Sequence, residues 1–369
     1  MKLFAAFLVL LFLHSALAAQ QLDAPSDHRA FAESPLGLGA VFFPSIDPAR
    51  TVSLDQPPPA SQKHQAKPAR AAQPSKQLKR TRIDASMVGY IDDSAVQTLV
   101  RVRFDAGFNA PRPDRAEYFY AGSSTPAGST DAVQRTLNFQ QLYLLGEYAP
   151  LERLSAFVQV PFRWVQPSFI PSATQTPDLF STGGISDVQA GLKFAAVASG
   201  SRRLTVQLGA YFPTGDGSAG LGTSHYSIEP KMLFFQRISV RTAVEAEAGD
   251  THPISGTIYA PNTLPATPSH RFAGDVLMYG VGPSYQLVKR DRYGITPVLE
   301  LVSWHVFGGL QTGSANVVQS AAGINVLNAK LGARTSFPGG SSIYAGFGRG
   351  LTSNIWYRNL FRIEYRHVF

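Results

Sequence analysis

Asn359-Leu360-Phe361-Arg362-Ile363-Glu364-Tyr365-Arg366-His367-Val368-Phe369 are the last eleven residues of the sequence, and their order decides the fold. Successive side chains of a β-strand point to opposite faces. This run therefore sets Phe361, Ile363, Tyr365 and Phe369 on one face and Arg362, Glu364 and Arg366 on the other. A helix, with a period of 3.6, would mix the two sets around its circumference. One face of the strand suits an apolar solvent and the other a polar interior.

The same two-faced run recurs upstream. Val96, Thr98, Val100, Val102, Phe104 and Phe108 oppose Gln97, Arg101, Arg103 and Asp105. Leu154, Ala156, Val158, Val160, Phe162 and Trp164 oppose Ser155, Gln159 and Arg163, and Val188, Ala190, Leu192 and Phe194 oppose Asp187, Gln189 and Lys193. Leu204 to Phe212 alternates against Arg203, Thr205 and Gln207. Val240, Val244 and Ala246 oppose Arg241, Glu245 and Glu247, and Leu327 to Phe337 alternates against Lys330 and Arg334. The phase is mixed in Leu137–Tyr148 and Ile295–Val306, where Glu147 and Glu300 share space with leucines.

Alternation alone also fits a soluble sandwich, so the connections carry the discrimination. Pro150–Arg153, Ser199–Arg202, Gln236-Arg237, Lys289–Arg292 and Pro338–Ser341 are tight. Asn109–Thr136, Gln166–Ser186, Thr214–Ser224, Gly249–His270, Gly308–Ala322 and Thr352–Tyr357 are longer and rich in Gly, Pro, Ser and Thr. Short turns on one rim and long loops on the other are the pattern of an outer-membrane barrel. The count implies an all-β, antiparallel up-and-down transmembrane barrel of about 12 strands, with residues 86–369 as the barrel domain. The aromatic C-terminal strand, with Phe361, Tyr365 and Phe369, resembles the signature read by the barrel-assembly machinery of Gram-negative bacteria, although His367 is more polar than that signature.

Other features agree. Lys2, the apolar run Leu3–Leu13 and Ala16-Leu17-Ala18 read as a signal peptide cleaved after Ala18. That run is too short to span a bilayer as a helix, which needs roughly 20 residues. No later run is longer, so a membrane could be crossed only by a closed barrel. Charged residues make up 16% of the chain, too few for the pattern of a soluble helical enzyme. There is no cysteine, which excludes disulfides and thiolate metal sites.

Residues 19–85, broken by Pro57-Pro58-Pro59 and basic from Lys63 to Arg82, read as a disordered periplasmic segment. Much of the net charge of +8 sits there. With no aromatics between Lys63 and Arg82 to stack on bases, that basic stretch reads as a solvated linker and not a nucleic-acid site. Within it Leu36–Ile46 is apolar enough to dock at the barrel mouth.

Gly215-Asp216-Gly217-Ser218-Ala219-Gly220 matches the dinucleotide fingerprint in letters, but no helix follows to bind pyrophosphate. The wider loop Pro213, Thr214, Gly215, Asp216, Gly220 and Gly222 instead resembles one typical of the outer-membrane transporter family linked to meta-pathway phenol degradation. Gly184–Phe194 is similar to a second segment of that family. The resemblance centres on residues 184–230 and implies a barrel first and a transport role second, with small aromatic or hydrophobic compounds as cargo.

No cofactor or metal is expected, since the eight histidines form no ligand spacing. Charges that would cost about 2–4 kcal/mol each facing lipid must face the lumen. Arg101, Arg103, Arg163, Lys193, Arg241, Glu245, Glu247, Lys330, Arg334, Arg362 and Glu364 are the lining candidates, with Asp275 and Arg358 at the ends. Two readings follow: a water-filled pore for small molecules, or opposite charges paired across a closed lumen, leaving an interaction barrel with a basic arm. A hydrolase built on His225 with Ser227, or on His305, is a third. Expected partners are outer-membrane lipids, the assembly machinery and a small-molecule cargo, with oligomeric state open.

Overall fold

The computed structural model describes residues 85–110, 134–169, 182–216, 220–223, 225–254, 273–312 and 318–369. The expectations for the signal peptide, the basic segment and Leu36–Ile46 lie outside these residues. Among the described residues sixteen strands follow one another: β1 (Leu99–Ala110), β2 (Gln134–Leu151), β3 (Leu154–Phe169), β4 (Thr182–Ile185), β5 (Val188–Ala198), β6 (Arg202–Phe212), β7 (Ser227–Arg237), β8 (Thr242–Pro253), β9 (Val276–Tyr285), β10 (Val288–Lys289), β11 (Gly294–Val306), β12 (Leu310–Thr312), β13 (Val318–Ser320), β14 (Asn325–Ser336), β15 (Ser341–Gly350) and β16 (Asn359–Val368). Fourteen of them form one antiparallel sheet: twelve wall strands paired in chain order, with β4 on β3 and β10 on β11 as short additions. The ring runs on from β9 to β11 (Val298↔Ser284 to Val306↔Val276) and is closed by β1 on β16 (Leu99↔Val368 to Phe108↔Asn359). β12 and β13 form a separate hairpin in a long connection.

The expected faces are the observed ones. Val100, Val102, Phe104, Val158, Leu192, Leu208, Leu331, Ile363 and Tyr365 stand exposed on the outside, while Asp105, Glu147, Lys193, Glu300, Arg334 and Glu364 are buried inside. The two strands of mixed phase, β2 and β11, turn out regular: Glu147 and Glu300 both point inward. Their leucines misled because Val298, Val302 and Trp304 also face the interior, where they meet apolar residues.

Three boundaries differ. The tight turn placed at Gln236-Arg237 lies at residues 238–241, because β7 runs on to Arg237. The first strand begins at Leu99, three residues after Val96, where the alternation starts. Gly184–Phe194 is not one strand. β4 pairs with β3 as Phe162↔Ile185, β5 pairs with β3 as Gln159↔Gln189, and Ser186-Asp187 between them is an extra step in the ladder. A β-bulge of this kind re-aims a side chain. Ile185 remains outside while Asp187, two residues on, turns in.

Aromatic rings over strand glycines fill the wall. Tyr344, fully buried, lies where a Cβ on Gly332 or Gly346 would have to be. Those glycines give the ring its space, a use of strand glycine that repays its entropic cost.

If the outer face meets lipid, Leu331→Arg in mid-β14 should cost about 2–4 kcal/mol of folding stability in vesicles. Urea unfolding of the reconstituted protein measures this, and an unchanged midpoint would place that face in water.

Candidate functional site

Residues 86–97 do not belong to the wall. They enter the barrel from the rim of short turns and reach the level of Glu300. They return to the same rim where β1 begins, with no regular secondary structure. A buried irregular backbone must have its N–H and C=O groups satisfied, and here the barrel wall does it with charged side chains.

Glu300 is the principal acceptor. Its Oε1 takes the Gly89 N–H at 3.0 Å, and its Oε2 takes those of Tyr90 at 2.8 Å and Ile91 at 2.9 Å. The Tyr344 hydroxyl adds a fourth donor at 3.1 Å. Glu245 accepts from Met87 N at 2.8 Å and Glu247 from Asp92 N at 3.0 Å. The carbonyls are met by arginines: Arg334 donates to Met87 O and Val88 O at 3.2 and 2.7 Å, and Arg362 to Gly89 O at 2.6 Å. Arg366 donates to Ser86 O at 2.5 Å. On the return limb Lys193 donates to Asp93 O and Thr205 to Ser94 O. Apolar contacts complete the fit: Val88 and Ile91 pack where Gly280 and Gly282 leave room.

Ion pairs tie the segment to the wall and the wall to itself. Asp93 meets Arg366 at 2.8 Å and Asp92 meets Lys231 at 2.9 Å. Arg362 grips Asp105 with both ends of its guanidinium, at 2.6 and 2.7 Å. Arg334 meets Glu364 at 2.8 Å and Lys193 meets Glu147 at 2.9 Å. Lys330 lies under the Tyr90 ring at 4.1 Å and near Trp304 at 5.1 Å, so aromatic faces share in stabilising its charge.

Of the lining candidates, Arg101, Arg103, Arg163, Lys193, Glu245, Glu247, Lys330, Arg334, Arg362 and Glu364 stand in the interior. Arg241 does not. It lies in the 238–241 turn and is exposed, because the strand before it is longer than its sequence suggests. Arg358, just before β16, is exposed as well, and Asp275 sits half-exposed against His252 at 2.6 Å. Phe361, Tyr365 and Phe369 are exposed on the outside. The sequence gives no sign that residues 86–95 fill the lumen, and it extends the first strand over Val96 and Gln97: alternation in 86–95 is poor, and the partners of the segment, from Glu147 to Arg366, lie far away in the chain. One sign was the density of inward charge on strands that needed only to be polar.

Beside the inserted segment a cavity of about 260 Å³ remains, lined from Leu99, Glu147 and Arg366 near the short-turn rim to Ser186 and Thr223 on the long-loop side. Its upper wall is the bulge and the glycine-rich loop. Asp187 Oδ1 accepts Gly215 N at 3.1 Å, and Oδ2 accepts Thr223 N at 2.7 Å and its hydroxyl at 2.6 Å. Thr214 donates to Ser186 O at 2.7 Å and accepts from Val188 N at 3.0 Å. Leu221 N reaches Asp216 O, Gly220 has φ +73°, and Pro213 leads into the turn. A Cβ on Gly222 would strike the Asp187 carboxylate and Gly215. The quoted loop motif thus serves to bolt a loop onto a bulge. Burial pushes the His225 imidazole below its ordinary value.

His225 Nδ1 faces the Thr223 carbonyl at 2.9 Å and His305 Nδ1 faces Asn325 Oδ1 at 2.7 Å.

Fold and site together define a membrane-type β-barrel whose lumen is occupied by its own chain. No protein-family model matches the sequence, and no curated relative was found by sequence comparison. Among solved structures, an outer-membrane channel from Pseudomonas putida F1 is similar at 14% identity and a TM-score of 0.45, over 74% of this chain and 96% of that one. The β domain of the Bordetella autotransporter BrkA is similar at 12% and 0.44, over 74% and 100%. A Pseudomonas aeruginosa FadL homologue is similar at 10% and 0.38, over 73% and 90%.

Glu300→Ala leaves three buried N–H groups without an acceptor, at about 1–3 kcal/mol each. Amide exchange in residues 86–97 should then accelerate at least tenfold while strand amides stay protected; equal protection in both proteins would refute the anchoring role. Gly222→Val should unbolt the upper loop and speed proteolytic cleavage within residues 213–226. A cleavage rate like that of the parent would show that the Asp187 contacts do not hold it.

Proposed function

We propose that this chain is a bacterial outer-membrane channel or transporter for small molecules, whose lumen is closed at rest by residues 86–97. The observation that carries the reading is the mode of closure. The inserted segment is irregular backbone held by side chains, not a strand of the wall, so it can leave without opening the barrel. Its two ends lie at the short-turn rim, which is the periplasmic rim in barrels of this class. The N-terminal arm is accordingly assigned to the periplasm. The resemblance of the 184–230 region to the phenol-degradation transporter family favours small aromatic or hydrophobic cargo.

The dense ion pairing favours a second reading, a permanently closed barrel that acts through its basic arm. Planar-bilayer recording of the full chain and of a form lacking residues 86–97 separates the two. Rare or small steps from the full chain and clear steps from the deleted form are expected. Silence in both, with folding verified by heat-modifiable gel migration, would reject the channel and leave the interaction barrel.

A further inference from the structure

The cavity beside the inserted segment is lined partly by the groups that hold that segment and partly by others. Eight cationic and seven acidic side chains line it. All seven acids are engaged. Glu147, Asp92, Glu229, Asp105 and Asp93 meet Lys193, Lys231, Arg362 and Arg366 within 2.9 Å. Asp187 holds the upper loop, and Glu247 takes the Asp92 N–H. Arg103 is held more loosely: it shares the Asp105 carboxylate with Arg362, at 3.7 Å, and its buried Nε has no hydrogen-bond acceptor among the described residues. Its guanidinium lies flat on the Tyr143 ring at 3.7 Å.

Neighbours extend this patch. Gln141 lies next to Tyr143 on the inward face of β2, 5% exposed, with its Oε1 buried and without a hydrogen-bond partner among the described residues. Directly across from it on β3 is Arg163, 1% exposed, with its guanidinium over the Phe139 ring at 5.4 Å. Trp304 and Trp356, ring centroids 4.7 Å apart, line the same cavity. Planar guanidinium forks match a carboxylate, and aromatic faces match a ring. At about 260 Å³ the space is smaller than the roughly 300–1,000 Å³ of sites for drug-sized ligands. It suits one ring with a substituent.

We infer that this cavity is a binding site for a single-ring aromatic carboxylate, with Arg103 and Arg163 receiving the carboxylate and the ring lying among the aromatic side chains. The inference deepens the channel reading and rests on it for its place in transport: the site would select what enters from the long-loop side before the inserted segment moves.

Two of the three tryptophans line the cavity and the third, Trp164, faces outward, so intrinsic fluorescence reports on it. The purified full chain in detergent would be titrated with benzoate, with neutral benzyl alcohol and with acetate. A saturable change with benzoate is expected, with the other two at least tenfold weaker. Arg103→Gln should weaken benzoate about tenfold and leave benzyl alcohol unchanged. Arg163→Gln provides the same test should the first variant fail to fold. Benzoate binding no tighter than benzyl alcohol, or unaffected by loss of either arginine, would overturn the inference. Bilayer recording in parallel keeps the two readings apart. Conductance without benzoate selectivity would sink the site alone, and benzoate binding without conductance would keep the site and remove the channel.

Discussion

The carboxylate of Glu300 receives three consecutive backbone N–H groups from a segment with no secondary structure of its own. Much else in the interior follows from that arrangement. A chain without helix or sheet partners can lie in a buried lumen only where the surroundings supply acceptors for its amides and donors for its carbonyls. Glu300, Glu245 and Glu247 supply the first, and Arg334, Arg362 and Arg366 the second. Those charges must in turn be balanced, which is why Arg362 also holds Asp105 and Arg334 also holds Glu364. The polar interior solvates a piece of the chain itself.

Such a construction separates two kinds of stability. The wall rests on inter-strand ladders closed by β1 on β16, and none of them requires residues 86–97. The inserted segment rests on side-chain contacts, each worth little net of desolvation but costly to break singly, since one lost partner leaves a buried charge or amide unpaired. The wall can persist while the segment moves. That difference in kind makes closure compatible with a transport role.

The bulge at Ser186-Asp187 is a second local departure with a purpose. A regular strand through Gly184–Phe194 would have left Asp187 facing outward with Ile185. The extra residue turns it inward, where it gathers the glycine-rich loop through Gly215 and Thr223. Gly222 is tolerated there and a larger residue is not, because the carboxylate occupies the space of its Cβ. The bolted loop roofs the cavity whose other walls carry Arg103, Arg163 and the tryptophan pair.

The alternation of Phe361 to Phe369 and its repeats, together with short and long connections in turn, was enough to establish from the sequence a barrel of about twelve strands and the direction of its charged faces. Period-two patterning is a local property, and lipid on one side enforces it at nearly every strand. Even Arg241 was misplaced only by a strand boundary, where local signals are weakest. What only the tertiary structure decided was the content of the lumen. Ser86–Gln97 has no period, since its partners are side chains on strands far off in the chain, and no spacing in its own residues records them. Equally, whether Glu300 and Arg362 line water, pair with each other or cradle a backbone depends on what the closed sheet brings within 3 Å of them. That distance is set by closure and register, which no single segment carries.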